Sequence, residues 1–180
     1  MLKILIVEDE PLLAKTLKHL IELNPRYVVT GIADDGDAAL AAVEERRPDL
    51  ALVDLRLARG STGFSVAAKL GDLGIPCLFT TGRAPSFPLP DLALGCLAKP
   101  FSEEDLVRTL KATEDMLRGR ERLRPSRPSN LRIYGEEETV SPDERFETRQ
   151  PQIAAAPVAS IRRRLESWLT VKPRGLEAAE

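Results

Sequence analysis

The sequence has 180 residues, enough for one domain of ordinary size with an appendage. Hydrophobic residues make up 43%, which is normal for a globular protein, and no apolar stretch approaches the roughly 18 residues expected of a membrane span. Residues 1–118 carry 14 Lys/Arg and 18 Asp/Glu, and residues 119–180 carry 12 and 10. The second part is therefore too weakly basic to indicate nucleic-acid binding by itself.

Localisation is expected to be cytoplasmic. The start has no signal-peptide pattern, because Glu8 and Asp9 interrupt the first apolar run. The two cysteines, Cys77 and Cys96, lie in apolar, strand-like contexts without metal-ligand spacing. We expect both to be reduced core residues.

Strand and helix patterns alternate over residues 1–118. Apolar runs predict strands, and apolar residues at helical spacing predict helices between them. Short connections between alternating elements imply a parallel sheet with helices on both faces. The predicted strands are 2–7, 27–32, 50–54, 75–81 and 94–98, and the predicted helices are 11–23, 38–43, 64–73 and one from Ser102 to about Arg118.

One segment lacks the expected helix. Between Thr81 and Leu94 the sequence places prolines at 85, 88 and 90. A proline inside a helix costs about 3 kcal/mol, so this segment is predicted to be a loop or at most one turn.

Acidic residues follow two of the predicted strands. Glu8 and Asp9 come after the first, and Asp54 ends the third. Parallel strands place their carboxyl ends at one edge, where open α/β sheets bind ligands. Crowded carboxylates raise one another's pKa values, so a site that keeps them ionised needs a cation, and Mg²⁺ suits such oxygen ligands.

Over residues 1–118 the sequence resembles the CheY-like receiver domain of two-component response regulators. The positions that carry the resemblance are Glu8-Asp9, Asp54, Thr81-Gly82 and Lys99-Pro100. Residues 76–82 further resemble the Pro-x-x-Phe-x-Thr-Gly stretch of bacterial single-domain receivers with a degenerate fourth helix. The resemblance implies a flavodoxin-like, doubly wound α/β fold. Its sheet would have five parallel strands in the order 2-1-3-4-5.

The resemblance also implies a metal site. Asp9 and Asp54 would bind Mg²⁺ directly, Glu8 would bind it through water, and the backbone carbonyl of Arg56 would complete the protein ligands.

The same resemblance implies a phosphorylation site. Asp54 would be the phosphoacceptor, Thr81 would hydrogen-bond a phosphoryl oxygen, and Lys99 would pair with another. The donor would be a histidine kinase or a histidine phosphotransfer protein. Self-phosphorylation and autodephosphorylation would be the only reactions, so the protein would not be an enzyme.

Each residue also has a simpler interpretation. Asp54 alone would be a helix-capping loop residue, and Lys99 alone a solvated surface lysine, but their joint occurrence favours the site. Asp34 and Asp35 are interpreted as turn and N-cap residues before Gly36. No role is assigned to His19.

The sequence departs from the usual receiver pattern at three positions. Ala58 replaces a frequent proline, Gly63 follows a longer loop, and Cys96 replaces the aromatic that commonly rotates inward on activation. We therefore expect the usual Thr-aromatic switch to be absent. Phosphorylation would instead re-order residues 82–91 as a contact for a downstream protein.

Residues 119–180 are predicted to be a linker and tail. The first part, to 152, is rich in charge and proline and has too few apolar residues to order itself. Residues 158–169 show helical spacing of apolar residues and predict a short amphipathic helix. It would fray, dock on its own receiver, bind a partner protein or, as the remaining alternative, contact a membrane or nucleic acid.

Two functions remain open at this point. In the first, the receiver acts by protein contact or by phosphoryl transfer in a phosphorelay. In the second, the protein is a DNA-binding transcriptional regulator whose effector is the tail. The tail shows only one convincing helix and a near-neutral charge, which makes DNA an unlikely partner.

Overall fold

The computed structural model of the chain describes residues 1–57, 60–120 and 127–134. Strands and helices alternate through most of this part, as predicted. The strands are β1 (Leu2–Val7), β2 (Tyr27–Ala33), β3 (Leu50–Asp54), β4 (Cys77–Thr81), β5 (Gly95–Ala98) and β6 (Leu131–Ile133). The helices are α1 (Pro11–Glu22), α2 (Gly36–Glu45), α3 (Gly63–Asp72) and α4 (Glu103–Leu117).

The strands form one sheet in the order β2-β1-β3-β4-β5-β6. The first five are parallel in the predicted order, which confirms the flavodoxin-like fold. The prediction of five strands was wrong in one respect, because β6 pairs antiparallel with β5. The sheet thus includes residues beyond 118, where the domain was expected to end.

Helices cover both faces of the sheet. Buried residues of α1 and α4 pack on one face, and those of α2 and α3 pack on the other. Every residue of β3 and β4 is buried, as expected for central strands of a parallel sheet covered on both sides. This burial leaves the strand ends as the places where polar side chains reach solvent.

Local capping sets the helix starts. Asp35 accepts a hydrogen bond from the Ala38 N–H, which confirms its predicted role as an N-cap. Ser102 and Asp105 form a reciprocal capping box at the start of α4, where the sequence predicts that the helix begins. This cap fixes the connection that follows Lys99.

The proline-rich segment after Thr81 has no helix, as predicted. Phe87 is 64% exposed, whereas Leu89 is half-buried against the core. The Leu89 carbonyl accepts hydrogen bonds from the N–H groups of Leu92 and Ala93, which forms a single turn before β5.

Within the described residues, no helix is long and apolar enough to cross a membrane. The predicted helix over 158–169 lies outside the described residues. The described residues beyond 120 are 127–134, and the sequence analysis places them in the linker.

Candidate phosphorylation site

A lysine and two carboxylates meet at the carboxyl ends of the strands. The Lys99 Nζ lies 2.6 Å from Asp54 Oδ2 and 2.7 Å from Glu8 Oε2. Lys99 follows β5, Asp54 ends β3 and Glu8 follows β1. Glu8 and Lys99 are 91 positions apart in sequence. We call Glu8, Asp54 and Lys99 the site cluster.

Burial and charge act in opposite directions on this cluster. Burial raises the pKa of Glu8, and its contacts with Lys99 offset only part of that effect. Burial alone would lower the pKa of Lys99, but its hydrogen bonds with Asp54 and Glu8 outweigh burial and raise it. The ammonium is therefore held protonated between two carboxyl groups, which outnumber it.

The β3–α3 connection positions Asp54. The N–H of Arg56 donates to Asp54 Oδ1 at 3.1 Å, and Arg56 and Thr62 form an antiparallel bridge that closes the loop. The N–H of Gly63 donates to the Leu55 carbonyl. A Cβ on Gly63 would lie 2.2 Å from the Asp54 carbonyl oxygen, so only glycine lets α3 begin this close to the phosphoacceptor candidate.

An open cleft of about 450 Å³ lies beside the cluster. Glu8, Asp9, Asp54, Arg56 and Lys99 all line it, which brings together the predicted metal-site residues and the lysine. Asp9 is exposed, whereas Glu8 and Asp54 are buried. Among the described residues, no three His, Cys, Asp or Glu side chains are arranged as a metal site.

The oxygen-rich lining nevertheless suits a hard divalent cation. Four carboxylate residues, Glu8, Asp9, Glu10 and Asp54, line the cleft together with Arg56 and with the Lys99 ammonium, which is already paired. Oxygen donors of this kind are the ligands that Mg²⁺ prefers.

Thr81 ends β4 and pairs with Ala98 of β5, next to Lys99. Its hydroxyl lies 3.4 Å from the Arg83 carbonyl and accepts from the Arg83 N–H at 3.3 Å. Thr81 is thus buried at the same edge as Lys99, but its hydroxyl contacts the following loop and not the site cluster.

Tyr134 is a residue that the sequence analysis missed. It follows β6, is buried, and packs in the same core group as Phe79 and Cys96. Its hydroxyl faces the Cys96 thiol, and burial raises the Tyr134 pKa to about 12. An aromatic side chain thus lies beside Cys96, and it comes from the residue that follows β6. The signal was the apolar alternation at Leu131 and Ile133 just before it.

The cysteines are core residues, as predicted. Cys77 and Cys96 are free and buried. Burial raises the pKa of Cys77 to about 12 and that of Cys96 to about 11.

Comparison with known proteins identifies the family. A family model described as the response regulator receiver domain matches residues 4–111. The DNA-binding response regulator MtrA of Mycolicibacterium smegmatis is 32% identical over 164 residues, covering 87% of this chain and 66% of that protein. A CheY-like receiver domain from Methanospirillum hungatei has 27% identity and a TM-score of 0.59, covering 66% of this chain and 98% of that structure.

A second solved structure agrees. The signal receiver domain of a modulated diguanylate cyclase from Desulfovibrio desulfuricans has 31% identity and a TM-score of 0.58, covering 67% of this chain and 99% of that one. The chain therefore belongs to the response regulator receiver family of two-component systems. It spans between 46% and 66% of the length of the first curated relatives that it matches.

Proposed function

We propose that this receiver accepts a phosphoryl group on Asp54 from a histidine kinase or a histidine phosphotransfer protein. The observation that carries the proposal is the site cluster, in which Asp54 and Glu8 share the single ammonium of Lys99 beside an open cleft. Such a carboxylate is held in place, faces solvent on one side and has a cation next to it.

The chemistry is phosphoryl transfer. An oxygen of Asp54 attacks the phosphorus of a phosphohistidine or an acyl phosphate, the bond from phosphorus to the donor breaks, and the donor leaves with that electron pair. Lys99 balances charge on the phosphoryl oxygens, and the Arg56 N–H orients the carboxylate through Asp54 Oδ1. The product is an aspartyl phosphate, a dianionic group with new hydrogen-bond acceptors.

Glu8, Asp9, Asp54 and the Arg56 carbonyl are proposed to hold Mg²⁺. When bound, Mg²⁺ neutralises charge on the phosphoryl oxygens during transfer. The excess of carboxylates over cations in the cleft supports this assignment.

Thr81 is proposed to bind a phosphoryl oxygen after transfer. Its hydroxyl is now engaged only with the backbone of Arg83 among the described residues, so a turn toward the site would pull on the loop 82–91. Output is proposed to follow through protein contact or onward phosphoryl transfer, in the cytoplasm and without turnover of an external substrate.

The test is labelling of the full chain with acetyl phosphate and Mg²⁺. Asp54→Asn should abolish acid-labile phosphate, because the amide is a poor nucleophile. Asp72→Asn, a change of the same type at an exposed position of α3, should label as the unaltered chain does. Stoichiometric labelling of Asp54→Asn would overturn the proposal.

A DNA-binding regulator is the second candidate. The similarity to the DNA-binding regulator MtrA extends over 164 residues, well beyond residues 4–111. Phosphate contacts make DNA binding fall steeply with salt. A steep salt dependence of binding would support this candidate, and weak, salt-insensitive binding would support output by protein contact.

A further inference from the structure

The residues around Lys99 are held from two sides. On one side, the Lys99 N–H donates to the Thr81 carbonyl of β4 at 2.8 Å. On the other, the N–H of Ala98 donates to the carbonyl of Asn130 at 2.9 Å. Asn130 precedes β6, so the C-terminal segment forms half of this support.

The side chain of Asn130 extends the same support past Lys99. Its Nδ2 lies 3.4 Å from the Ala98 carbonyl, 3.5 Å from the Pro100 carbonyl and 3.4 Å from Asp105 Oδ2. The Ala98 carbonyl precedes Lys99 in the chain, the Pro100 carbonyl follows it, and Asp105 belongs to the capping box at the start of α4. The amide has two hydrogens, so these contacts are shared and individually weak, but together they connect the end of β5, the loop and the first turn of α4.

The fit of β6 against β5 is specific. A Cβ on Gly95 would lie 2.3 Å from the Arg132 carbonyl oxygen and 3.0 Å from the Ile133 Cα. The N–H of Tyr134 donates to the Leu94 carbonyl at 2.8 Å, which anchors the far end of the segment. Glycine at position 95 therefore permits a backbone approach that any side chain would prevent.

We propose that Asn130 is a positioning residue for Lys99, and that residues 128–134 are consequently part of the phosphorylation site. This inference rests on the proposed function. Asn130 would hold the backbone on both sides of Lys99, so that the ammonium stays within reach of Asp54. The C-terminal region would then begin directly at the site, and a change at Lys99 on phosphorylation would be transmitted to it.

The test is a double-mutant cycle in the full chain. Phosphorylation by acetyl phosphate is measured at varied donor concentration in saturating Mg²⁺. Asn130→Ala should lower the maximal rate about two- to tenfold, as expected for lost hydrogen bonds, with the KM for the donor nearly unchanged. In a Lys99→Ala background, where the rate is already low, Asn130→Ala should have no further effect.

Control variants separate positioning from a general structural role. Ser129→Ala, an exposed position in the same turn, should keep the normal rate. Asn130→Gln retains the amide group and should recover part of the phosphorylation rate that Asn130→Ala loses. An Asn130→Ala rate equal to that of the unaltered chain, or equal fold losses with and without Lys99, would overturn the positioning role.

A measurement on the unaltered chain covers the case in which Asn130→Ala does not fold. Adding beryllofluoride with Mg²⁺, as a phosphoryl mimic, should shift the NMR signal of the Asn130 side-chain amide, and Lys99→Ala should remove that shift. An unmoved signal would overturn the proposal. If the unaltered chain accepts no phosphate, the proposed function and this inference both fail, whereas normal labelling with no Asn130 effect removes this inference alone.

Discussion

Two buried charge clusters lie at opposite ends of the sheet, and their composition differs. The site cluster, at the carboxyl ends of the strands, has two buried carboxylates and one ammonium. It opens onto a cleft that two further carboxylate residues, Asp9 and Glu10, line together with Arg56.

The second cluster lies at the amino end of β2. Glu114 of α4 is 2.9 Å from Arg26 and from Arg118 and 3.5 Å from Arg120, and the Tyr27 hydroxyl is 3.3 Å from its Oε2. We call these five residues the Glu114 cluster. Its single carboxylate is almost wholly buried and has three cationic neighbours.

The two clusters differ in their balance of negative and positive charge. Three arginines surround the Glu114 carboxylate, and Arg120 also lies 3.4 Å from Asp115, so the Glu114 cluster needs no added cation. Its contacts with Arg26 and Tyr27 connect α4 to β2. The site cluster is short of positive charge, and its cleft admits a cation or a phosphoryl donor. The ratio of carboxylates to cations distinguishes the structural cluster from the functional one better than burial does.

The largest expected effect is on the Glu114 cluster. Glu114→Ala should lower the free energy of unfolding by about 2–3 kcal/mol, because it removes the buried acceptor of the Tyr27 hydroxyl and of three half-exposed arginines. Denaturant titration measures this loss. The matched control is Glu104→Ala, in which the exposed carboxylate pairs with Arg108 and its removal should change stability by less than about 1 kcal/mol. A similarly small loss for Glu114→Ala would show that the cluster is not a structural one.

Mg²⁺ should act only on the site cluster. At ten times its dissociation constant it should raise the free energy of unfolding by about 1.4 kcal/mol, because it binds the folded state. Asp9→Ala should remove most of this gain, and Asp72→Ala should retain it. Equal stabilisation of both variants in denaturant titrations would place the Mg²⁺ elsewhere.

Removing the hydroxyl of Tyr27 or of Tyr134 should change the free energy of unfolding differently. Tyr27→Phe removes a hydrogen bond to Glu114 and should cost about 1 kcal/mol. The Tyr134 hydroxyl faces a thiol, a weak partner, and has no stronger one among the described residues. Tyr134→Phe should therefore leave the free energy of unfolding unchanged or raise it by up to about 1 kcal/mol. A clear loss in thermal or denaturant unfolding would reveal a partner for that hydroxyl.

The smallest effect is local to the loop after Thr81. A phosphoryl mimic with Mg²⁺ should change hydrogen exchange most across residues 82–93, because Thr81 would exchange its contacts with Arg83 for the phosphoryl group. The Glu114 cluster should show no change. A response confined to α1 or α4 would place the output at those helices instead.

Much of the fold was predictable because its signals are local. The buried runs ending at Val7 and Asp54, the N-cap Asp35 and the capping box of Ser102 all lie within a few residues of the structure they determine. The strand order and the roles assigned to Asp54 and Lys99 came instead from a family resemblance carried by residues at the strand ends.

The sequence predicts the position of Thr81 at the end of β4 but not the contacts of its hydroxyl. Nothing near it in sequence shows whether its hydroxyl faces Lys99 or Arg83, because that depends on how the loop packs.

The sequence by itself thus determined the alternating elements, the acidic strand ends and the loop at 82–91, since each depends on neighbouring residues. Only the tertiary structure decided that β6 joins the sheet, that Tyr134 lies beside Cys96 and that Asn130 contacts both sides of Lys99. A three-residue strand has too little local preference to be recognised. Its stability comes from pairing with β5, more than 30 residues earlier in the chain.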